Sequence, residues 1–219
     1  ALLLNERGNQ DEFLPIWYKL LKQYREADRP EDVGKCLLTI ANHFIMLEDY
    51  ENALPLYKEA YQLALEHKSI ELQQVSGIML IKYLCGAGYY SESLEYYNKI
   101  KPEIVFNPSM QNEVVKSYME LNKPDSARIY LAARLLSERG DKIVLNCMMA
   151  ETYIPEGQED SAFVFLDRAM KSYKEKAKNY QKQGREAILP NCFLSPCYLF
   201  ADLLWKKGKI QQASQYYMI

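Results

Sequence analysis

Residues 40–60 read IANHFIMLEDYENALPLYKEA, and the order of large and small apolar residues in this stretch decides the fold. Ile40, Ala41 and Phe44, then Tyr50, Ala53, Tyr57 and Ala60, recur at the spacing that gathers side chains on one face of a helix. The pattern predicts two short amphipathic helices joined by a tight turn and packed against each other. Small residues let the two backbones approach, and the aromatic rings fill the remaining space.

The same order returns along the chain. Aligned on the small residue of the second helix, it gives Ala53, Ser93, Ala127, Ala162 and Ala213, at intervals of 40, 34, 35 and 51 residues. Four further columns follow at fixed offsets. The small or branched residues of the first helices are Ala41, Ile81, Val115, Ala150 and Ala201, and the large residues three positions later are Phe44, Leu84, Tyr118, Tyr153 and Leu204. The second helices carry Tyr57, Tyr97, Leu131, Leu166 and Tyr217. At the ends of the first helices stand Glu48, Gly88, Asn122, Gly157 and Gly208, where glycine and asparagine suit a left-handed capping residue and only Glu48 departs from that chemistry.

The N-terminal segment keeps the register, because Phe13-Leu14-Pro15-Ile16-Trp17 lies 40 residues before Ala53-Leu54-Pro55-Leu56-Tyr57. The same offset assigns Gly8 to the capping column, Leu4 to the large column and Ala1 to the small one. The chain is thus expected to begin midway through a first helix and to stop within a second one, as a portion of a longer polypeptide.

The order I-A-x-x-F, then Y-x-x-A-x-x-x-Y-x-x-A, resembles the tetratricopeptide repeat, a helix-turn-helix unit of about 34 residues. The resemblance implies an all-α fold, a right-handed α-α superhelix of about six units, incomplete at both ends. As one solenoid domain over residues 1–219, its units fall near 1–30, 31–68, 69–107, 108–140, 141–188 and 189–219. The KPDSA and EDSA turns (Lys123 to Ala127, Glu159 to Ala162) resemble more distantly the sensor regions of bacterial membrane-anchored transcriptional regulators and sensor kinases.

Departures from the repeat carry their own expectations. The 40-residue intervals leave room to lengthen a second helix through Leu63, Ala64 and Leu65 up to Lys68-Ser69. Pro102 and Pro108 bracket a break before the helix of Val114, Val115 and Tyr118. In the 51-residue interval the helix of Phe163, Leu166, Ala169 and Met170 runs into a basic extension, with Lys171, Lys174, Lys176, Lys178, Lys182 and Arg185 on a solvated face. A loop is expected from Leu189 to Pro196.

Composition narrows the function. A chain of 219 residues with 48% hydrophobic content can build a sizeable core, and its net charge of -2 lacks the basic footprint of a nucleic-acid binder. No stretch approaches the roughly 20 apolar residues needed to span a bilayer, and the initial ALLL is too short for a signal-peptide core. Five cysteines (Cys36, Cys85, Cys147, Cys192, Cys197) form no disulfide framework and read as reduced thiols, which favours the cytoplasm. The distant regulator resemblance would instead place the repeats in the periplasm. A Cys192–Cys197 disulfide fits only an oxidising compartment, and these two cysteines lack the further ligands of a zinc site.

Catalytic chemistry finds no constellation. His43 and His67 have no nucleophile near them in sequence and read as structural, no phosphate-binding or hydrolase motif occurs, and no cofactor or metal is expected. The carboxylates of Glu31-Asp32, Glu48-Asp49 and Glu159-Asp160 fall at helix starts or turns, where they favour the helix dipole.

Function in the resembled family lies on the first helices, at positions the packing columns leave out. Here these are Lys35, Leu38, Asn42 and Met46; Ile78, Met79 and Lys82; Asn112, Lys116 and Met119; Cys147, Met148 and Glu151; Tyr198, Asp202 and Trp205. One line reads Asn42, Lys82, Lys116, Glu151, Asp202, and a second is apolar and rich in methionine. Such a surface suits an extended or helical peptide with apolar anchors, although any of its apolar residues can equally pack between helices. Family domains that grip a chaperone's C-terminal carboxylate use lysines, asparagines and an arginine. Asn42 stands in such a place, but Leu38, Met79, Ser109 and Glu113 occupy the others, which speaks against that ligand. The expected activity is a non-catalytic scaffold for a protein, a peptide or a second copy of the chain, with an RNA-binding helical repeat as the alternative.

Overall fold

The computed structural model describes residues 10–100, 110–137, 141–183 and 194–217. Gly8, Leu4 and Ala1, the Pro102–Pro108 break, Ser109, Arg185, Cys192 and the start of the loop at Leu189 lie outside them. Among the described residues no strand occurs. The helices are α1 (Gln10–Glu26), α2 (Pro30–Met46), α3 (Tyr50–Glu66), α4 (Ile70–Gly86), α5 (Tyr90–Lys99) and α6 (Gln111–Glu120). They continue with α7 (Pro124–Leu136), α8 (Lys142–Glu151), α9 (Glu159–Lys182), α10 (Leu194–Lys206) and α11 (Ile210–Tyr217). A short 3-10 turn, Ile154–Glu156, precedes α9.

Two compact units divide the chain, Ala1–Ser117 and Tyr118–Ile219, with the division inside α6. In the first, α1 packs on α2, α2 on α3, α3 on α4 and α4 on α5, while α2 also reaches α4. In the second, α8 packs on α7 and α9, and α10 on α9 and α11.

One turn motif is used throughout. A residue of positive φ follows each first helix: Glu48 (58°), Gly88 (85°), Asn122 (54°) and Gly208 (74°) directly, and Gly157 (67°) after the 3-10 turn that succeeds α8. The next amide then reaches back to the large-column carbonyl, as Asp49 N to Phe44 O at 2.9 Å, Tyr89 N to Leu84 O at 2.8 Å and Lys209 N to Leu204 O at 2.9 Å. This bond closes the helix and satisfies a carbonyl that has no intrahelical partner. Glu48 therefore takes the left-handed conformation despite its side chain. The turns between repeats use it too, at Asp28 (50°) and Lys68 (55°).

The helices then restart on ordinary signals. Proline opens α2 and α7, and Asp49 caps α3 by accepting the Asn52 amide at 3.1 Å. Helix α3 runs to Glu66, as the long interval predicts, and α9 carries the basic extension to Lys182. Leu194 to Pro196 belong to α10 rather than to a loop. Proline is tolerated there because the first turn of a helix has no backbone donor to lose.

Register and burial coincide in the small-residue column of the second helices. Ala53, Ser93, Ala127, Ala162 and Ala213 are all at 0% exposure. Ser93 keeps this place because its hydroxyl donates to the Ile81 carbonyl at 2.9 Å. Gly34 serves the same end on another face, for a Cβ there would stand 2.3 Å from Leu72 Cδ2 of α4. In the second unit Arg128 of α7 ties the end of α8, donating to the Thr152 carbonyl at 2.7 Å, pairing with Asp125 and Glu156 and lying over the Tyr153 ring.

Candidate functional site

On α2, Lys35, Leu38, Asn42 and Met46 follow one another at intervals of three and four residues, so they share one face. Lys35, Asn42 and Met46 are exposed, whereas Leu38 is buried and forms a floor beneath them. On α4, Met79 and Ile78 are half-buried and Lys82 is exposed; on α6, Asn112 and Lys116 are exposed.

An aromatic pair, Tyr57 buried and Tyr83 half-buried, connects α2 to α4 through α3. Tyr57 has no exposed surface, its hydroxyl donates to Asn42 Oδ1 at 2.5 Å, and its ring stacks on Tyr83 with centroids 5.3 Å apart. The Lys82 ammonium lies 5.3 Å from the Tyr83 centroid, and that of Lys116 lies 5.9 Å from the Tyr90 centroid. Burial, and then the neighbouring Tyr83, push the Tyr57 pKa well up, so the phenol is a fixed donor. Asn42 is thereby anchored by a buried donor and Lys82 lies beside an aromatic ring, while both side chains stay exposed.

Beside this stripe lies a cavity of about 130 Å³ between α2 and α4. Lys35, Leu38 and Glu31 line it from one side and Ser69, Glu71, Leu72 and Val75 from the other. Lys35 and Leu38 are among the residues expected from the repeat register, whereas the α4 wall is not. A signal was present, since Val75 and Glu71 lie 40 residues after Lys35 and Glu31, in the same columns. A larger cavity of about 400 Å³ is bordered by Arg25, Arg29, Glu59 and His67. Its two arginines are already paired, Arg25 with Glu59 and Arg29 with Asp32 at 2.7 Å.

In the second unit Met119 is half-buried, Cys147 and Met148 are buried, and Glu151 is exposed. Desolvation raises the Glu151 carboxyl above its ordinary range although the residue keeps an exposed edge. Leu38, Cys147 and Met148 are therefore packing residues in the free chain. Tyr198, Asp202 and Trp205 are exposed on one face of α10, and Asp202 accepts a hydrogen bond from the Tyr217 hydroxyl. Asp202 and Tyr217 stand in the same columns as Asn42 and Tyr57, and the bond between them is the same.

His43 is buried against Phe13 with ring centroids 4.4 Å apart, and desolvation lowers its pKa. His67 is exposed and ends α3. Cys36, Cys85, Cys147 and Cys197 are buried and in no disulfide, and burial raises Cys36 and Cys197 to about 11, far from a reactive thiolate. Among the described residues no group of acidic, histidine and cysteine side chains could hold a metal ion, and no helix is long and apolar enough to cross a membrane.

Helical hairpins repeated on one set of buried columns, each closed by the same left-handed turn, define a tetratricopeptide-like helical-repeat fold. Solved structures of that architecture resemble the chain along most of its length. A structure of the MamA protein superposes with a TM-score of 0.57 at 12% identity, covering 84% of this chain and 88% of that one. A putative kinesin light chain from Podosopora anserina, with nearly identical TPR-like repeats, gives 0.54 at 18% identity, covering 86% and 93%. At these identities the likeness is one of fold. No family model matches the chain, and no curated protein does.

Proposed function

We propose that the chain is a non-catalytic scaffold that binds a protein or peptide, and that in the unit Ala1–Ser117 the partner seats on the face formed by α2 and α4. One observation carries this reading. In this unit Lys35, Lys82 and Lys116 on the first helices have no carboxylate within ion-pair distance among the described residues, whereas Lys58 and Lys99 on second helices pair with Glu92 at 2.7 Å and Glu95 at 2.8 Å. Cations fixed on aromatic rings beside an apolar floor and exposed Met46 suit a partner that brings apolar anchors and a carboxylate. We further propose that these repeats serve as the sensory or regulatory part of a bacterial signalling or transcriptional regulator, which the Lys123–Ala127 and Glu159–Ala162 turns favour.

Affinity capture with the wild-type chain and with a Lys82→Glu, Lys116→Glu variant tests the face. Both side chains are exposed, so the variant folds, as circular dichroism will verify. Partner affinity is expected to fall roughly tenfold or more, with a weaker salt dependence. Equal recovery by both chains would remove the face from the reading.

A further inference from the structure

The cavity between α2 and α4 has a composition that the neighbouring lysines do not share. Its floor is apolar, from Leu38 and Leu72, which are buried, with Val75 at the edge and 39% exposed. Its rim carries two exposed carboxylates, Glu31 and Glu71, against the single ammonium of Lys35. Ser69 donates weakly to Glu31 at 3.4 Å, and Glu71 has no ion-pair partner among the described residues. A volume of about 130 Å³ is well below the roughly 300–1,000 Å³ of pockets that enclose whole small ligands. One side chain fills it.

We propose that this cavity is a side-chain pocket for a peptide that presents one aliphatic residue flanked by basic residues. The inference rests on the scaffold reading above and gives the bound peptide a polarity. The aliphatic group displaces water from Leu38, Leu72 and Val75, and its cationic neighbours meet Glu31 and Glu71. Charge complementarity selects this occupant: an acidic flank would face two carboxylates across a rim with one ammonium. Gly34 keeps the pocket shallow, because it lets Leu72 close against α2 from below. Toward the other end of the same helices lie Asn42 and Lys82, where the partner's carboxylate belongs.

Titration of the 15N-labelled chain with the peptide acetyl-Gly-Lys-Leu-Lys-Gly-amide, followed by amide chemical shifts, tests the pocket. Shifts are expected to concentrate at Lys35, Leu38, Leu72 and Val75. Replacing the peptide's leucine by alanine is expected to weaken binding roughly tenfold. Glu71→Lys, on an exposed site, should weaken it as well, while acetyl-Gly-Glu-Leu-Glu-Gly-amide produces no saturable shifts. Equal binding of the glutamate peptide, indifference to Glu71→Lys, or no saturable shift at α2 and α4 would overturn the proposal. These failures are distinct from failure of the scaffold reading. A lost pocket beside a capture that discriminates the Lys82→Glu, Lys116→Glu variant leaves the scaffold standing, and the reverse pair of results leaves only the pocket.

Discussion

Tyr57 shows how one side chain serves both packing and the binding face. Its ring is wholly buried against Tyr83, and its hydroxyl fixes Asn42. Tyr57→Ala is expected to cost on the order of 3 kcal/mol in denaturant unfolding, as for other large aromatic truncations in cores. Tyr57→Phe keeps the stack and loses one hydrogen bond whose acceptor stays in reach of water, so about 1 kcal/mol or less is expected. Equal losses for the two variants would mean that the ring does not pack as described. The burial of Tyr57 was legible in the register; the bond to Asn42 was not, because column membership records that a residue is buried and says nothing of where its hydroxyl points. Tyr217 makes the converse point, occupying the same column with 40% of its surface exposed. Leu38 and Met148 read as groove residues by position, yet both are buried, since an apolar side chain at the edge of a helix face gains more by closing onto its neighbour than by facing water.

At the scale of the element, the unit of construction is the turn. A left-handed residue followed by a bond back to the large-column carbonyl recurs in every described turn between the two helices of a repeat, whether the residue is glycine, asparagine or glutamate. Register located this turn at Glu48 where residue chemistry alone pointed elsewhere. The turns at Asp28 and Lys68 were less legible, because neither aspartate nor lysine advertises a positive φ. Holding a residue with a Cβ in this conformation costs roughly 1–2 kcal/mol, and glycine gives back about 0.5–1 kcal/mol through its freer unfolded chain. Glu48→Gly or Lys68→Gly is therefore expected to stabilise the chain by about 0.5–1 kcal/mol. Gly88→Ala should destabilise it by about 1 kcal/mol by conformation alone, since a Cβ there meets nothing within 4 Å. Thermal unfolding of the three variants reads the signs, and a stabilised Gly88→Ala would refute the shared turn.

Over the whole molecule, the columns build two cores, one in Ala1–Ser117 and one in Tyr118–Ile219. That division was not legible, because the 34-residue interval between Ser93 and Ala127 is an ordinary repeat length and a column does not say which hairpin covers it. Second helices of the first unit pair charges across their contacts, as in Arg25–Glu59 and Lys58–Glu92, and on the proposed reading α2 and α4 present Lys35 and Lys82 to a partner. Hydrogen–deuterium exchange of the chain alone and with its captured partner bound tests this assignment most directly. Slowed exchange in the amides of α2 and α4, with α3 and α5 unchanged, is the expected result. Protection of α3 and α5 with α2 and α4 unaffected would contradict it.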